Sequence, residues 1–141
     1  MRRLLLIAVL SLATGMPAAA ELRIEGSAGG RIGDYLELFG QVRESGRRVV
    51  IDGPCLSACT LVLSLVPRGR ICVTRRAVLG FHAAWHPDWL GRPQNHPRAT
   101  KLMLETYPVP VRRWIIRHGG LTSRTLLLRG GELRRMYRTC R

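Results

Sequence analysis

A serine hydroxyl becomes a useful nucleophile when a base removes its proton, and histidine is the usual base near neutral pH. Ser57, in Gly-Pro-Cys-Leu-Ser-Ala-Cys, and His82, in Leu-Gly-Phe-His and 25 residues further on, offer that pair. The apolar stretch Arg48 to Ile51 reads as a short buried strand, and an apolar helix is expected from Ser57 to Val66. Ser57 therefore belongs to a strand-to-helix turn. The first N–H groups of such a helix lack intrahelical partners and can stabilise an oxyanion. Each residue also has a plainer reading, Ser57 as a helix cap and His82 as a hydrogen-bonded core histidine.

Cys55 and Cys59 flank Ser57, and Cys72 and Cys140 bring the cysteines to four. Two disulfides are expected; four cysteines allow three pairings, and the sequence does not choose among them. A bridge between Cys55 and Cys59 would brace the candidate nucleophile. Their spacing is one residue longer than the usual thiol-redox motif, and without a C-x-x-C pair zinc is disfavoured. His82, His86, His96 and Asp88 make a poor metal set, because Pro87 breaks the helix that the i, i+4 histidine spacing would need. No metal and no cofactor is expected.

The disulfide reading depends on compartment. Arg2 and Arg3, the apolar Leu4 to Leu12 and Ala18-Ala19-Ala20 have the three-part pattern of a secretory signal peptide over residues 1–20, with cleavage after Ala20. Residues 21–141 then form one exported, periplasmic or secreted domain of 121 residues, enough for one core. Of the 23 basic residues all but Lys101 are arginine, against nine acids, for a net charge of +14, or +12 after loss of Arg2 and Arg3. Such a chain attracts anions. For an exported protein these are lipid headgroups, wall polymers and acidic proteins, with nucleic acid less accessible.

The elements that would position Ser57 and His82 alternate. Leu22 to Glu25 reads as a strand leading into the Gly26 to Gly30 loop. Ile32, Tyr35, Leu36, Phe39 and Val42 give Arg31 to Ser45 one apolar helical face. Strands are expected at Arg70 to Thr74 and in a short segment ending at His82, a surface loop or flap at His86 to Pro97, and helices at Ala99 to Tyr107 and after Pro108-Val109-Pro110. Thr125 to Leu128 reads as a last strand and Glu132 to Tyr137 as a short helix. Strand, helix, strand, helix, strand implies an α/β domain with a mostly parallel sheet and right-handed crossovers.

Gly29-Gly30 after a strand, the amphipathic helix, the Val-Val-Ile strand, Ser57 at its turn and His82 ending a later strand resemble the Clp-protease proteolytic subunit and its relatives in the ClpP/crotonase superfamily. The resemblance implies a ClpP/crotonase-like fold, N-terminally shortened, because the family's first strand and helix have no counterpart. It implies Ser57 as nucleophile, His82 as general base, and the N–H groups of Gly30 and Ala58 as oxyanion donors. The family's aspartate falls on Thr125, which leaves a backbone carbonyl, Asp52 or Asp88 to orient His82. The expected function is that of an exported serine hydrolase or peptidase acting on a peptide or other acyl substrate. The alternative is a catalytically silent module that binds an anionic envelope partner through its arginines. Assembly into a homo-oligomer is a third expectation, since the family forms rings.

Overall fold

The computed structural model describes Ala20 to Arg141; the signal-peptide reading of residues 1–20 falls outside the described residues except for Ala20. The described residues form eight strands: β1 (Leu22–Ile24), β2 (Val49–Ile51), β3 (Pro54–Leu56), β4 (Ile71–Val73), β5 (Val78–Phe81), β6 (Trp85–Pro87), β7 (Pro93–Asn95) and β8 (Leu126–Arg129). The helices are α1 (Ile32–Glu44), α2 (Val62–Leu65), α3 (Pro97–Thr106), α4 (Val109–Arg117) and α5 (Gly130–Met136), with 3₁₀ turns at Ser57–Leu61 and Arg68–Arg70. The chain is thus a mixed α/β domain.

The expected parallel sheet is divided in two. One sheet runs β1-β2-β4, parallel throughout, and the other runs β3-β5-β8, with β3 and β5 parallel and β8 antiparallel. Three chain segments pass from the first sheet into the second. β1 continues to Ser27, which bridges Cys55; β2 continues through Asp52-Gly53 into β3; β4 continues through Thr74 to Ala77 into β5. The bend is tight enough that a Cβ on Gly53 would collide with the Glu25 carbonyl, so glycine is required there. The parallel neighbours stay neighbours across the division, β1 beside β2 and β2 beside β4 on one side, Ser27 beside β3 and β3 beside β5 on the other.

One core serves both sheets. Val49 and Ile51 of β2, Ile71 and Val73 of β4, and Leu79 and Phe81 of β5 are fully buried against Phe39 and Val42 of α1, Ile115 of α4 and Leu133 of α5. The apolar face of α1 is narrower than its periodicity suggests: Phe39 and Val42 are buried, whereas Leu36 lies exposed. Where a surface loop or flap is expected at His86 to Pro97, β6 and β7 form a two-stranded antiparallel hairpin from Trp85 to Asn95. Its prolines sit at Pro87 and Pro93, an edge pair where the absent N–H groups remove no sheet bonds to further strands.

The cysteines pair as Cys55–Cys59 and Cys72–Cys140. Two disulfides suit an oxidising environment of the kind exported proteins meet. Among the described residues no helix is long and apolar enough to cross a membrane.

Candidate active site

Ser57 begins a 3₁₀ turn directly after β3 and has φ +55°, the one non-glycine residue in the left-handed region among the described residues. That conformation costs an ordinary residue roughly 1–2 kcal/mol and persists only where the surroundings enforce it. The surroundings here are dense. Cys55 is bonded to Cys59, so the turn is clamped covalently on both sides of Ser57. The buried Thr60 hydroxyl donates to the Ser57 carbonyl at 2.6 Å. Its one proton being spent, Thr60 accepts from the Tyr107 hydroxyl, also at 2.6 Å, which ties the turn to the end of α3.

The glycine loop is stitched to the same turn. Ser27 N–H donates to the Pro54 carbonyl at 2.8 Å and Leu56 N–H to the Ser27 carbonyl at 2.9 Å. The Ser27 hydroxyl accepts from Gly29 N–H at 3.2 Å and meets the Tyr35 hydroxyl at 2.7 Å. Gly29 then packs against the serine: a Cβ there would lie 2.5 Å from Ser57 Cβ, 2.7 Å from the Leu56 carbonyl oxygen and 3.1 Å from Ala58 N. With φ +87° it is doubly bound to be glycine. The resemblance pointed to Gly30 of the glycine pair, whereas it is Gly29 that makes this approach. At Gly30 an added Cβ would meet only the Tyr35 ring, at 3.5 Å.

Ser57 and His82 both line a cavity of about 540 Å³ whose wall also includes Gly29, Gly30, Trp85 and Met103. The two residues are brought to one space, each half-buried. Among the described residues, however, no hydrogen bond joins Ser57 Oγ to the His82 ring. His82 Nδ1 lies 2.7 Å from the Ala83 carbonyl oxygen. A neutral ring in this arrangement donates from Nδ1 and keeps its Nε2 lone pair, the tautomer a general base requires. Gly30 borders the cavity, and its N–H has no protein acceptor among the described residues. Ala58 is buried beneath the turn, with no side chain capping the N–H groups there.

The carboxylates considered as orienters of His82 are occupied elsewhere. Asp52 accepts from Thr74 at 2.7 Å and from Arg76 and Arg23 at 2.8 and 2.9 Å. The Arg76 guanidinium, with Thr74 and Arg23, holds its carboxyl far below the usual carboxylate range. Asp88 shapes the tip of the β6–β7 hairpin, accepting from the Leu90 and Arg92 amides and the Arg92 side chain. Glu132 accepts from Trp114 Nε1. Thr125 shares a second cavity of about 360 Å³ with His82 and Ser123 but makes no hydrogen bond to the ring among the described residues.

Met103 and Ile32 belong both to the Ser57 cavity and to an apolar groove of about 280 Å³ lined by Leu36, Leu61, Leu65 and Leu102. The exposed face of α1 is one wall of that groove. His86 and His96 stack edge to face at 5.6 Å across the hairpin, and among the described residues no three His, Cys, Asp or Glu side chains converge to hold a metal. His118 sits at the C-terminus of α4, its Nδ1 2.7 Å from the Trp114 carbonyl oxygen, the place a helix favours a cation. No family model matches this sequence, and no curated protein is significantly similar to it.

Proposed function

We propose that the chain is an exported serine hydrolase of the ClpP/crotonase type, acting on a peptide or other acyl substrate. The observation that carries this reading is the left-handed backbone of Ser57 at the wall of a cavity that His82 shares. Strain of this kind collects where a side chain must be presented rather than packed, as in strand-to-helix turns that expose a nucleophile.

The chemistry follows from the parts. A substrate carbonyl enters the cavity with an apolar substituent directed toward the Met103 groove. Ser57 Oγ attacks the carbonyl carbon while its proton passes to His82 Nε2, with Nδ1 held by the Ala83 carbonyl. The N–H groups of Gly30 and Ala58 receive the oxyanion. Collapse of the tetrahedral intermediate expels the leaving group, which takes the proton from His82. Water, deprotonated by the same ring, then releases the acyl group and restores Ser57.

A carbonyl is a weaker partner for a developing imidazolium than a carboxylate, so turnover is expected to be slow. That same observation favours the second reading, a ClpP-like module without catalysis whose arginines bind an anionic envelope partner. A fluorophosphonate probe on the exported protein separates the two. Labelling that disappears in Ser57→Ala and slows at least about 100-fold in His82→Ala supports the hydrolase. Absence of labelling in the unaltered protein, or its persistence in Ser57→Ala, would leave the silent module as the better account.

A further inference from the structure

On the outer face of the β1-β2-β4 sheet, the register places Arg23, Val50 and Cys72 in one row across three strands. Residues paired in this way share a face, and it is the face opposite buried Val49 and Ile51. Among the described residues no helix residue lines the cavity over this row, yet Val50 and Cys72 are only 4% and 5% exposed. The C-terminal segment borders the row, Arg138 to Arg141 lining the same cavity as Val50 and Cys72. Val73 N–H donates to the Arg138 carbonyl at 3.0 Å and Cys140 N–H to the Val73 carbonyl at 3.1 Å, so the segment docks alongside β4, and the Cys72–Cys140 bridge locks it there.

The result is a cavity of about 610 Å³ with a floor of Val50 and the disulfide, and a wall that includes Arg23, Arg48, Arg138 and Arg141 together with one acid, Glu21. Arg48 precedes Val50 by two residues and Arg138 precedes Cys140 by two, the spacing that turns both side chains to the floor's side of an extended chain. Arg23 is paired with Glu21 at 3.0 Å and with Asp52 at 2.9 Å. Among the described residues Arg48, Arg138 and Arg141 have no carboxylate partner. Three arginines without a carboxylate partner thus line one cavity over a floor fixed by the disulfide, and an anion held among them offsets their mutual repulsion.

We infer that this cavity is a binding site for a phosphorylated ligand, a phosphomonoester or diphosphate group held by Arg48 and Arg138 with Arg141 closing the rim. Guanidinium forks match phosphate oxygens two at a time, and the volume exceeds what one inorganic phosphate fills. It shares no lining residue with the Ser57 cavity, so it stands or falls independently of the hydrolase reading. The group has two sources, a soluble diphosphate compound or the headgroup of an anionic lipid.

Titration calorimetry of the exported protein with pyrophosphate, and flotation with vesicles of phosphatidylcholine with or without phosphatidic acid, test the site and separate the sources. Binding is expected to at least one probe, weakened tenfold or more in Arg48→Gln/Arg138→Gln and unchanged in Arg124→Gln/Arg129→Gln, which alters charge outside the cavity. Arg48→Lys/Arg138→Lys keeps the charge without the fork and should show an intermediate loss, with the circular dichroism melt of all three variants unaltered. Pyrophosphate alone would identify a soluble ligand, and phosphatidic acid vesicles alone a headgroup. Equal losses in the Arg48/Arg138 and Arg124/Arg129 variants, full binding by the lysine pair, or no binding to either probe would overturn the site.

Discussion

Replacing Ser57 should separate stability from activity. Glycine adopts φ +55° without the Cβ penalty, so Ser57→Gly is expected to be about 1 kcal/mol more stable than Ser57→Ala in urea unfolding, while both lose any hydrolysis. Equal stabilities would mean that the turn is not strained. Gly29→Ala tests the opposite side of the contact: its Cβ would press on Ser57 Cβ and the Leu56 carbonyl, and a loss of about 2 kcal/mol or more is expected, together with fluorophosphonate reactivity. Asp52 sets an acid limit on the fold. Its carboxyl titrates below its ordinary value of 3.8 because of Arg76, Thr74 and Arg23, so its contribution is complete above about pH 4 and is lost as the pH falls toward the folded-state value. Asp52→Asn should therefore flatten the decline in the urea midpoint below pH 4, and an unchanged acid limb would contradict the assignment. Ser57 and His82 could be found from the sequence because nucleophile and base are recognisable types. The Gly29 contact and the Ala83 carbonyl could not, since one depends on a backbone approach and the other on an acceptor every residue carries.

The turn at Ser57 is held from a distance by Tyr107, which ends the segment that α3 occupies. Burial pushes the Tyr107 phenol up to about 12 against the opposing effect of Thr60, so its hydroxyl stays protonated and donating throughout the neutral range. Tyr107→Phe should destabilise the protein by about 1 kcal/mol and slow labelling of Ser57 by more than that loss of folded protein explains. A labelling rate equal to that of the unaltered protein would reduce Tyr107 to a packing residue. The helices were readable because α1, α3 and α4 carry either periodic apolar residues or a proline at their first turn. The two-sheet division was not, because strands of three or four residues do not state which neighbour they pair with, and the break at Asp52-Gly53 differs little from an ordinary turn. The β6–β7 hairpin was hidden by Pro87 and Pro93, which in a lone hairpin cost less than in the middle of a sheet.

Two bridges hold this small fold, and they do different things. Cys55–Cys59 closes a short loop and shapes the serine turn, whereas Cys72–Cys140 spans 68 residues, including the hairpin, α3, α4, β8 and α5. Closure of so long a loop restricts the unfolded chain by about 4 kcal/mol, so Cys72→Ser/Cys140→Ser should lower urea stability by about that amount. A loss below about 1 kcal/mol would show that the docked C-terminal segment holds without its bridge. The cysteine content and the signal-like leader suggested oxidation in advance; the pairing required knowing that Thr139 lies beside Val73. At the hairpin tip, Asp88 presents Trp89, 87% exposed, and half-exposed Leu90 on a turn directed away from the core. A protease acting between Asp88 and Gly91 would cut inside the Cys72–Cys140 loop. The nicked protein should then run as one band on a non-reducing gel and as two after reductant, a severed polypeptide that remains a single covalent molecule.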